Sequence, residues 1–350
     1  MNSEKVISGG AVIHNLEWCK GKSAGKEIMA MVKADGYGHG MEQIVTLLKD
    51  KVKWFGVANA DEAIKLKNFL EKRHTILVVG KTCEYDLLIK NGIHITIDCE
   101  DKLIKVIKTA KNVNKQAYVH LAINTGMNRI GVKDLKTFKK MVKIIRNNNC
   151  ICLAGVFTHM FDADQKKGHF DEQIKLFSKF VEIVKDKNIL VHIGGSFCLQ
   201  HKMPKFVNMV RVGYFLYGYG EKNLLPVMSI ESYVTKLTNC KKGEFVGYGD
   251  TRLKKDTMVA VVPLGYSDGV CRRLSEKAYV LINGVSCKIV GKVCMDCFMV
   301  ESTNANAKVG DGVVVFNDAE QWAQIVQTSP YEILTRFSSS RTKIVILDGE

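Results

Sequence analysis

The chain has 350 residues, 46% hydrophobic and 25% charged, and its 51 basic against 36 acidic residues leave a formal charge of +15. That length buries a real core in one large domain or two ordinary ones, and no apolar run reaches the ~18 residues that a membrane-spanning helix needs. The polar start Met1-Asn2-Ser3-Glu4-Lys5 has no signal-peptide core, so a cytoplasmic protein with no membrane partner is expected.

The positive charge invites a nucleic-acid reading. The lysines, however, are spread along helical patterns, as at Lys136, Lys139, Lys140 and Lys143, with no arginine-rich or aromatic-interleaved tract. A solvated lysine-rich surface and no nucleic-acid partner are expected. Several of the 11 cysteines, such as Cys150, Cys152 and Cys287, lie in apolar runs, where reduced cysteine acts as a small hydrophobe. Cys294 and Cys297 have CxxC spacing in a strand-like run from Ile289 to Val300 with no helix after it. That context argues against a redox or zinc motif, and no metal is expected.

Eight short apolar runs read as strands: Glu27 to Lys33, Trp54 to Ala58, Thr75 to Val79, His94 to Ile97, Ala117 to Ile123, Leu153 to Thr158, Leu190 to Ile193 and Asn208 to Val212. Between them Met41 to Leu48, Asp61 to Lys72, Glu100 to Lys111, Leu135 to Arg146 and Phe170 to Val184 have helical apolar spacing. The alternation predicts a (β/α)8 barrel over residues 1–220, an α/β TIM barrel whose active site lies at the carboxyl ends of the strands. Polar residues stand at those ends: Lys33 after the first strand, Arg129 after the fifth, His159 ending the sixth, His192 and Gly194-Gly195-Ser196 at the seventh, Arg211-Val212-Gly213 at the eighth. The last two turns suit phosphate, which barrels often bind after strands seven and eight.

Lys33 opens the glycine-rich stretch Lys33-Ala34-Asp35-Gly36-Tyr37-Gly38-His39-Gly40. Two readings fit it. A lysine against apolar walls loses its proton near neutral pH and can form a Schiff base, with the glycines giving a ligand close approach and Tyr37 offering a phenolic donor. A strand-end lysine can equally snorkel to solvent while the glycines serve only the turn.

After Gly220 the helical pattern stops, and Met258 to Pro263, Tyr279 to Ile282, Cys287 to Val290, Asp311 to Phe316 and Thr342 to Leu347 predict an all-β second domain over residues 221–350. Two of its turns carry tyrosine beside glycine: Val246-Gly247-Tyr248-Gly249-Asp250 and Gly265-Tyr266-Ser267-Asp268-Gly269. Each turn either projects a phenol away from its sheet or closes the end of a β layer.

Taken in order, these segments, with Asn124-Thr125-Gly126-Met127-Asn128-Arg129-Ile130-Gly131, Phe157-Thr158-His159 and Val293-Cys294-Met295-Asp296, resemble the alanine racemases. That family is built of a (β/α)8 barrel and a C-terminal β domain, is of fold-type III and depends on pyridoxal phosphate. The resemblance implies interconversion of L- and D-alanine, with D-alanine destined for peptidoglycan. It implies that Lys33 holds the cofactor as a Schiff base, that Tyr37, Ser196, Gly213 and Tyr214 hold its phosphate, and that Arg211, supported by His192, faces the pyridine nitrogen. His159 would pack beside the ring. Racemisation needs proton-transfer groups on both faces of the α-carbon. These map to Lys33, serving the D-isomer, and Tyr248, serving the L-isomer. A phenol needs a nearby cation to act as a base at neutral pH. Arg129 and the Met295 amide would bind the substrate carboxylate, Tyr266 would narrow the entrance, and Asp296 would support this group. Because the tyrosines cross over in the family, a homodimer with composite sites is implied.

Ala122 and Asn124 stand where the family often has a lysine, commonly carbamylated, and an aspartate, so support for Arg129 must come from elsewhere. Gly195 replaces a frequent asparagine. Serines at 338–340 stand near a usual pocket tyrosine, and Ser339 there would widen the pocket and suit a serine-preferring or broad racemase. The same barrel type also serves decarboxylases and non-catalytic pyridoxal phosphate carriers, and the two tyrosine turns weigh against both.

Overall fold

The computed structural model describes residues 2–165, 168–186, 188–338 and 341–347, so Ser339 lies outside the described residues. The chain divides into two compact units, Ile13–Ala34 with Ile44–Leu224, and Met1–Val12 with Asp35–Gln43 and Leu225–Glu350.

In the first unit eight parallel strands close into a barrel: Glu27–Met31, Trp54–Val57, Thr75–Val78, His94–Ile97, Ala117–Ala122, Ile151–His159, Leu190–Gly194 and Met209–Val212. Each expected strand is present, and its ends fall within two residues of the sequence reading. A barrel covered by helices buries both faces of its strands, which is why these runs are apolar without alternation. The surrounding helices carry one apolar stripe each. Leu135–Arg146 buries Phe138, Met141, Val142 and Ile145 and starts at Asp134, whose side chain accepts the Thr137 amide at 2.8 Å. Phe138 meets Phe180 of the next helix, Phe170–Val184, edge to face at 5.2 Å.

Three strands interrupt this hydrocarbon interior with histidine. His94 Nδ1 lies 2.9 Å from His120 Nε2, and His120 Nδ1 lies 2.8 Å from His192 Nε2. Burial pushes His94 down to about 4, and burial followed by neighbouring like charge holds His120 and His192 well below the usual histidine value.

The second unit is built on a sheet of nine strands among the described residues. Its first strand is Glu4–Ser8, antiparallel to Met228–Tyr233 and parallel to Lys343–Leu347. The chain therefore begins in this sheet, whereas the sequence pattern places the start of the barrel at residue 1. A five-residue strand running straight into the helix Gly9–Lys22 leaves too short a pattern to detect. The unit also contains two helices, Ala319–Val326 and Pro330–Arg336, in a region whose sequence pattern predicts strands alone. Cys294 and Cys297 do not lie in a strand. They occupy a turn between Val285–Val290 and Phe298–Glu301, where the Cys294 amide donates to the Cys297 carbonyl at 2.9 Å. Lys5 is 1% exposed, and its Nζ donates to the carbonyls of Gly38 at 2.6 Å and Phe337 at 3.0 Å, tying the first strand to the glycine loop and the last helix of this unit. No helix among the described residues is long and apolar enough to cross a membrane.

The unfolded chain takes up protons on His94, His120 and His192 below about pH 6.5, while the folded barrel keeps them neutral. Stability should therefore be fully present above that pH and fall by about 1.4 kcal/mol per pH unit for each histidine as pH drops toward 4. Urea midpoints measured near pH 7 and near pH 5 check this, and equal midpoints would count against it.

Candidate active site

The first barrel strand runs into a single helical turn, Lys33–Tyr37, of the wrong hand: φ is 53° at Ala34, Asp35 and Tyr37 and 61° at Gly36. Each L-residue held there costs on the order of 1–2 kcal/mol, so the surroundings must impose the turn. Glu62 does so from the barrel side, accepting the amides of Ala34 at 2.8 Å and Ala58 at 2.7 Å. Asp35 accepts the Met41 amide at 3.0 Å further along. At Gly38, φ is +85° and a Cβ would come within 2.2 Å of the Leu334 carbonyl oxygen, so only glycine passes.

Burial first, and then the Arg129 guanidinium, lower Lys33 from the ordinary lysine value, against a smaller opposing pull from Glu62. Arg129 sits on the exposed loop 124–131, which is held by the side chain of Asn124. Asn124 Oδ1 accepts the amides of Gly126 at 3.0 Å and Asn128 at 3.1 Å, and Asn124 Nδ2 donates to Asn128 Oδ1 at 3.1 Å. Ala122 is buried, and its carbonyl accepts the Val132 amide at 2.9 Å. Asn124 thus fixes the loop, while no carboxylate among the described residues pairs with Arg129.

Arg211 is 4% exposed. Its Nη1 donates to His192 Nδ1 at 2.8 Å, its Nη2 donates to the Thr158 carbonyl at 2.9 Å and approaches His159 Nδ1 at 3.4 Å, and the guanidinium lies 4.5 Å from the Phe157 ring centre. Burial, helped by Arg129, pushes Arg211 down to about 9, which leaves it charged at pH 7. His159 is pushed to about 3 by burial and by Arg211, Arg129 and Lys33, so it stays neutral. At Gly194 a Cβ would come within 2.1 Å of Arg211 Nη2 and 2.4 Å of His159 Nδ1, so the seventh strand needs a glycine at that point. Beyond it, Gly195 has φ of +113° and swings Ser196 inward, where its buried hydroxyl oxygen accepts the amides of Gly213 at 3.1 Å and Phe215 at 3.3 Å. Tyr214, on the same turn, lies 5.7 Å from Phe197, ring to ring.

The barrel unit therefore gathers Lys33, Arg129, His159, His192, Ser196, Arg211, Gly213 and Tyr214. The sheet unit holds the remaining candidates. Tyr37 is buried and packs against Tyr331, with ring centres 4.7 Å apart and the planes tilted by 32°. Tyr266 and Met295 share one structure: the Tyr266 amide donates to the Cys294 carbonyl at 3.0 Å, and Ser267 donates to the Met295 carbonyl from its amide at 3.1 Å and its hydroxyl at 2.7 Å. Arg341 clamps the two turns, pairing with Asp268 at 2.8 Å and Asp296 at 2.6 Å. Tyr248 stands on its own hairpin, rooted on Val246, Leu253, Val259 and Met299, and is 67% exposed. Sequence reasoning missed Glu62, Arg341, His94 and His120. Only the histidines left a signal, as polar interruptions of His94-Ile95-Thr96-Ile97 and Ala117-Tyr118-Val119-His120-Leu121-Ala122.

Family models support the reading in both halves: the alanine racemase N-terminal domain matches residues 7–221, and the alanine racemase C-terminal domain matches residues 227–345. An alanine racemase of Clostridium novyi is 32% identical, covering 96% of this chain and 93% of that protein. One of Helicobacter pylori is 33% identical, covering 91% and 92%. The solved alanine racemase of Clostridium difficile 630 superposes with a TM-score of 0.93 at 29% identity, over 99% of this chain and 96% of that one. With the closed parallel barrel, the separate sheet unit and both domain models in agreement, the chain belongs to the alanine racemase family, whose members are pyridoxal phosphate-dependent isomerases.

Proposed function

We propose that this chain interconverts L- and D-alanine by a two-base mechanism with Lys33 and Tyr248 as the proton-transfer groups. The observation that carries it is Lys33 itself, a lysine with a depressed proton affinity at the carboxyl end of a barrel strand, close enough to Arg129 and His159 to share charge interactions with them. Pyridoxal phosphate fits the residues present. Lys33 offers an amine whose proton affinity is lowered by burial and by Arg129, the Ser196 hydroxyl keeps its proton to donate to a phosphate, and glycine at 194 lets Arg211 and His159 come close to the strand end.

Lys33 would hold the cofactor, Ser196 with the Gly213 and Tyr214 backbone and Tyr37 would bind its phosphate, and His159 would pack beside the ring. When bound, the cofactor acidifies the substrate's α-proton by withdrawing electrons from the α-carbon. Arg211 would face the ring nitrogen as a permanent cation, which keeps that nitrogen unprotonated and limits delocalisation, favouring prompt return of the proton. Arg129 and the Met295 amide would orient the substrate carboxylate, with Asp296 holding the Met295 turn through Arg341. Lys33 would move the proton on one face and Tyr248 on the other.

Tyr248 at 67% and Tyr266 at 45% exposure on the sheet unit support a homodimer in which each chain completes its partner's site. All 11 cysteines are free thiols, which supports a cytoplasmic setting, and D-alanine for peptidoglycan is the product's expected use. A serine preference would rest on Ser339, outside the described residues.

Lys33→Ala should abolish racemisation in both directions with the fold retained. Tyr248→Phe should lose α-proton exchange from L-alanine and keep slow exchange from D-alanine, read by deuterium incorporation; full two-way turnover in that variant would overturn the two-base assignment. Co-expressing the two inactive variants should restore about a quarter of all sites, because about half of the dimers are then mixed and one of the two sites in each receives both intact residues. No recovered activity would mean that each site draws both residues from one chain.

A further inference from the structure

A guanidinium only donates hydrogen bonds. Arg211 Nη1 lies 2.8 Å from His192 Nδ1, so that nitrogen must present its lone pair and the His192 proton must sit on Nε2. The same constraint then passes along the barrel. His192 Nε2–H donates to His120 Nδ1 at 2.8 Å, and His120 Nε2–H donates to His94 Nδ1 at 2.9 Å. The result is a one-way chain of neutral imidazoles from the carboxyl end of the eighth strand to the amino end of the fourth.

The surroundings are shaped for that chain. Gly155, on the sixth strand, lies between the fifth and seventh strands, and a Cβ there would come within 2.2 Å of His120 Nδ1, so glycine makes room for the contact between His120 and His192. Each ring plane is fixed by an aromatic neighbour: Tyr118 stacks on His94 at 4.9 Å, Trp54 presents its edge to His94 at 5.4 Å and to His120 at 6.0 Å, and Phe157 stacks on His192 at 4.8 Å. No carboxylate among the described residues pairs with Arg211 or the three histidines. Leucine would fill the same space without transmitting any constraint. A charged imidazole would repel Arg211 and could not accept its hydrogen bond at the same time as donating onward.

We infer that His94, acting through His120 and His192, is a positioning residue for Arg211: as the terminal acceptor it holds His120 in the tautomer that receives the His192 Nε2–H, which fixes the His192 ring and so sets the angle at which the guanidinium faces the cofactor ring. This rests on the placing of Arg211 against that ring made above, and tautomers measured without cofactor test the chain separately from that placing.

The test is nitrogen NMR on histidine-labelled, cofactor-free protein, with kinetics of the loaded enzyme beside it. In the wild type all three imidazoles should carry the proton on Nε2 and a bare Nδ1 across neutral pH. His94→Leu removes the terminal acceptor, and the signals of His120 should move toward mixed tautomers, while His192, whose Nδ1 still faces Arg211, keeps its proton on Nε2 and shifts only through the loss of a fixed acceptor at His120. Racemase kcat should fall about fivefold, the weight of one hydrogen bond, with the KM for alanine unchanged. His94→Gln, which supplies an acceptor oxygen, should restore both readouts. A proton on His192 Nδ1 in the wild type, a charged imidazole at neutral pH, or a His94→Leu variant with wild-type nitrogen signals and kcat would each overturn the inference. If the leucine variant does not fold, the wild-type tautomers decide.

Discussion

A guanidinium sealed inside a parallel barrel has lost its water, and it must find hydrogen-bond acceptors in the strands around it. Arg211 finds a backbone carbonyl at Thr158 and imidazole nitrogens at His192 and His159, all without negative charge. A carboxylate would neutralise it, whereas these acceptors satisfy its N–H groups and leave the charge in place. Much of the barrel's interior chemistry follows from that arrangement. His159 and His192 stay neutral because burial, and then the cation beside them, oppose protonation, glycine is required at Gly194 to clear the guanidinium, and Phe157 covers one face of it. Burial first, and then Arg129, which also acts on Arg211, hold Lys33 below its ordinary proton affinity.

The left-handed turn after the first strand is the second constraint. Three L-residues at φ of 53° store strain that a free peptide would release, and Glu62, Asp35 and the carbonyl of Leu334 each hold or crowd one part of it. The turn fixes Lys33 at the barrel's edge and delivers Tyr37 to the sheet unit, where Lys5 holds the next residue's carbonyl. The sheet unit shows the same economy. Arg341 reaches two acidic side chains and thereby holds together the turns that carry Tyr266 and Met295.

The barrel was legible because its strands are continuous apolar runs bounded by turn residues, a pattern that parallel sheets impose. Lys33, Arg129, His159, Ser196 and Arg211 were legible because they follow those runs at strand ends. Glu62 and Arg341 were not. Each works through backbone amides or a carboxylate far along the chain, and an acidic residue early in a helix, or an arginine near the chain's end, looks like any surface charge. The first strand escaped because five residues running straight into a helix are too short a pattern to detect, and its partners lie more than two hundred residues away. The CxxC segment misled for the opposite reason: apolar residues around a tight turn mimic a strand until the hydrogen bond between Cys294 and Cys297 is seen.

By itself the sequence determined the order of strands and helices, the residues standing at the strand ends, and through the order of its motifs the family. Those properties are local or additive along the chain, and burial periodicity and turn chemistry write them directly into residue order. The tertiary structure alone decided that the turn after Lys33 is left-handed, that Arg211 is held without a carboxylate, and that His94, His120 and His192 join end to end. Those features depend on angles and on side chains from strands distant in sequence meeting within 3 Å, and no property of a single segment encodes such a meeting.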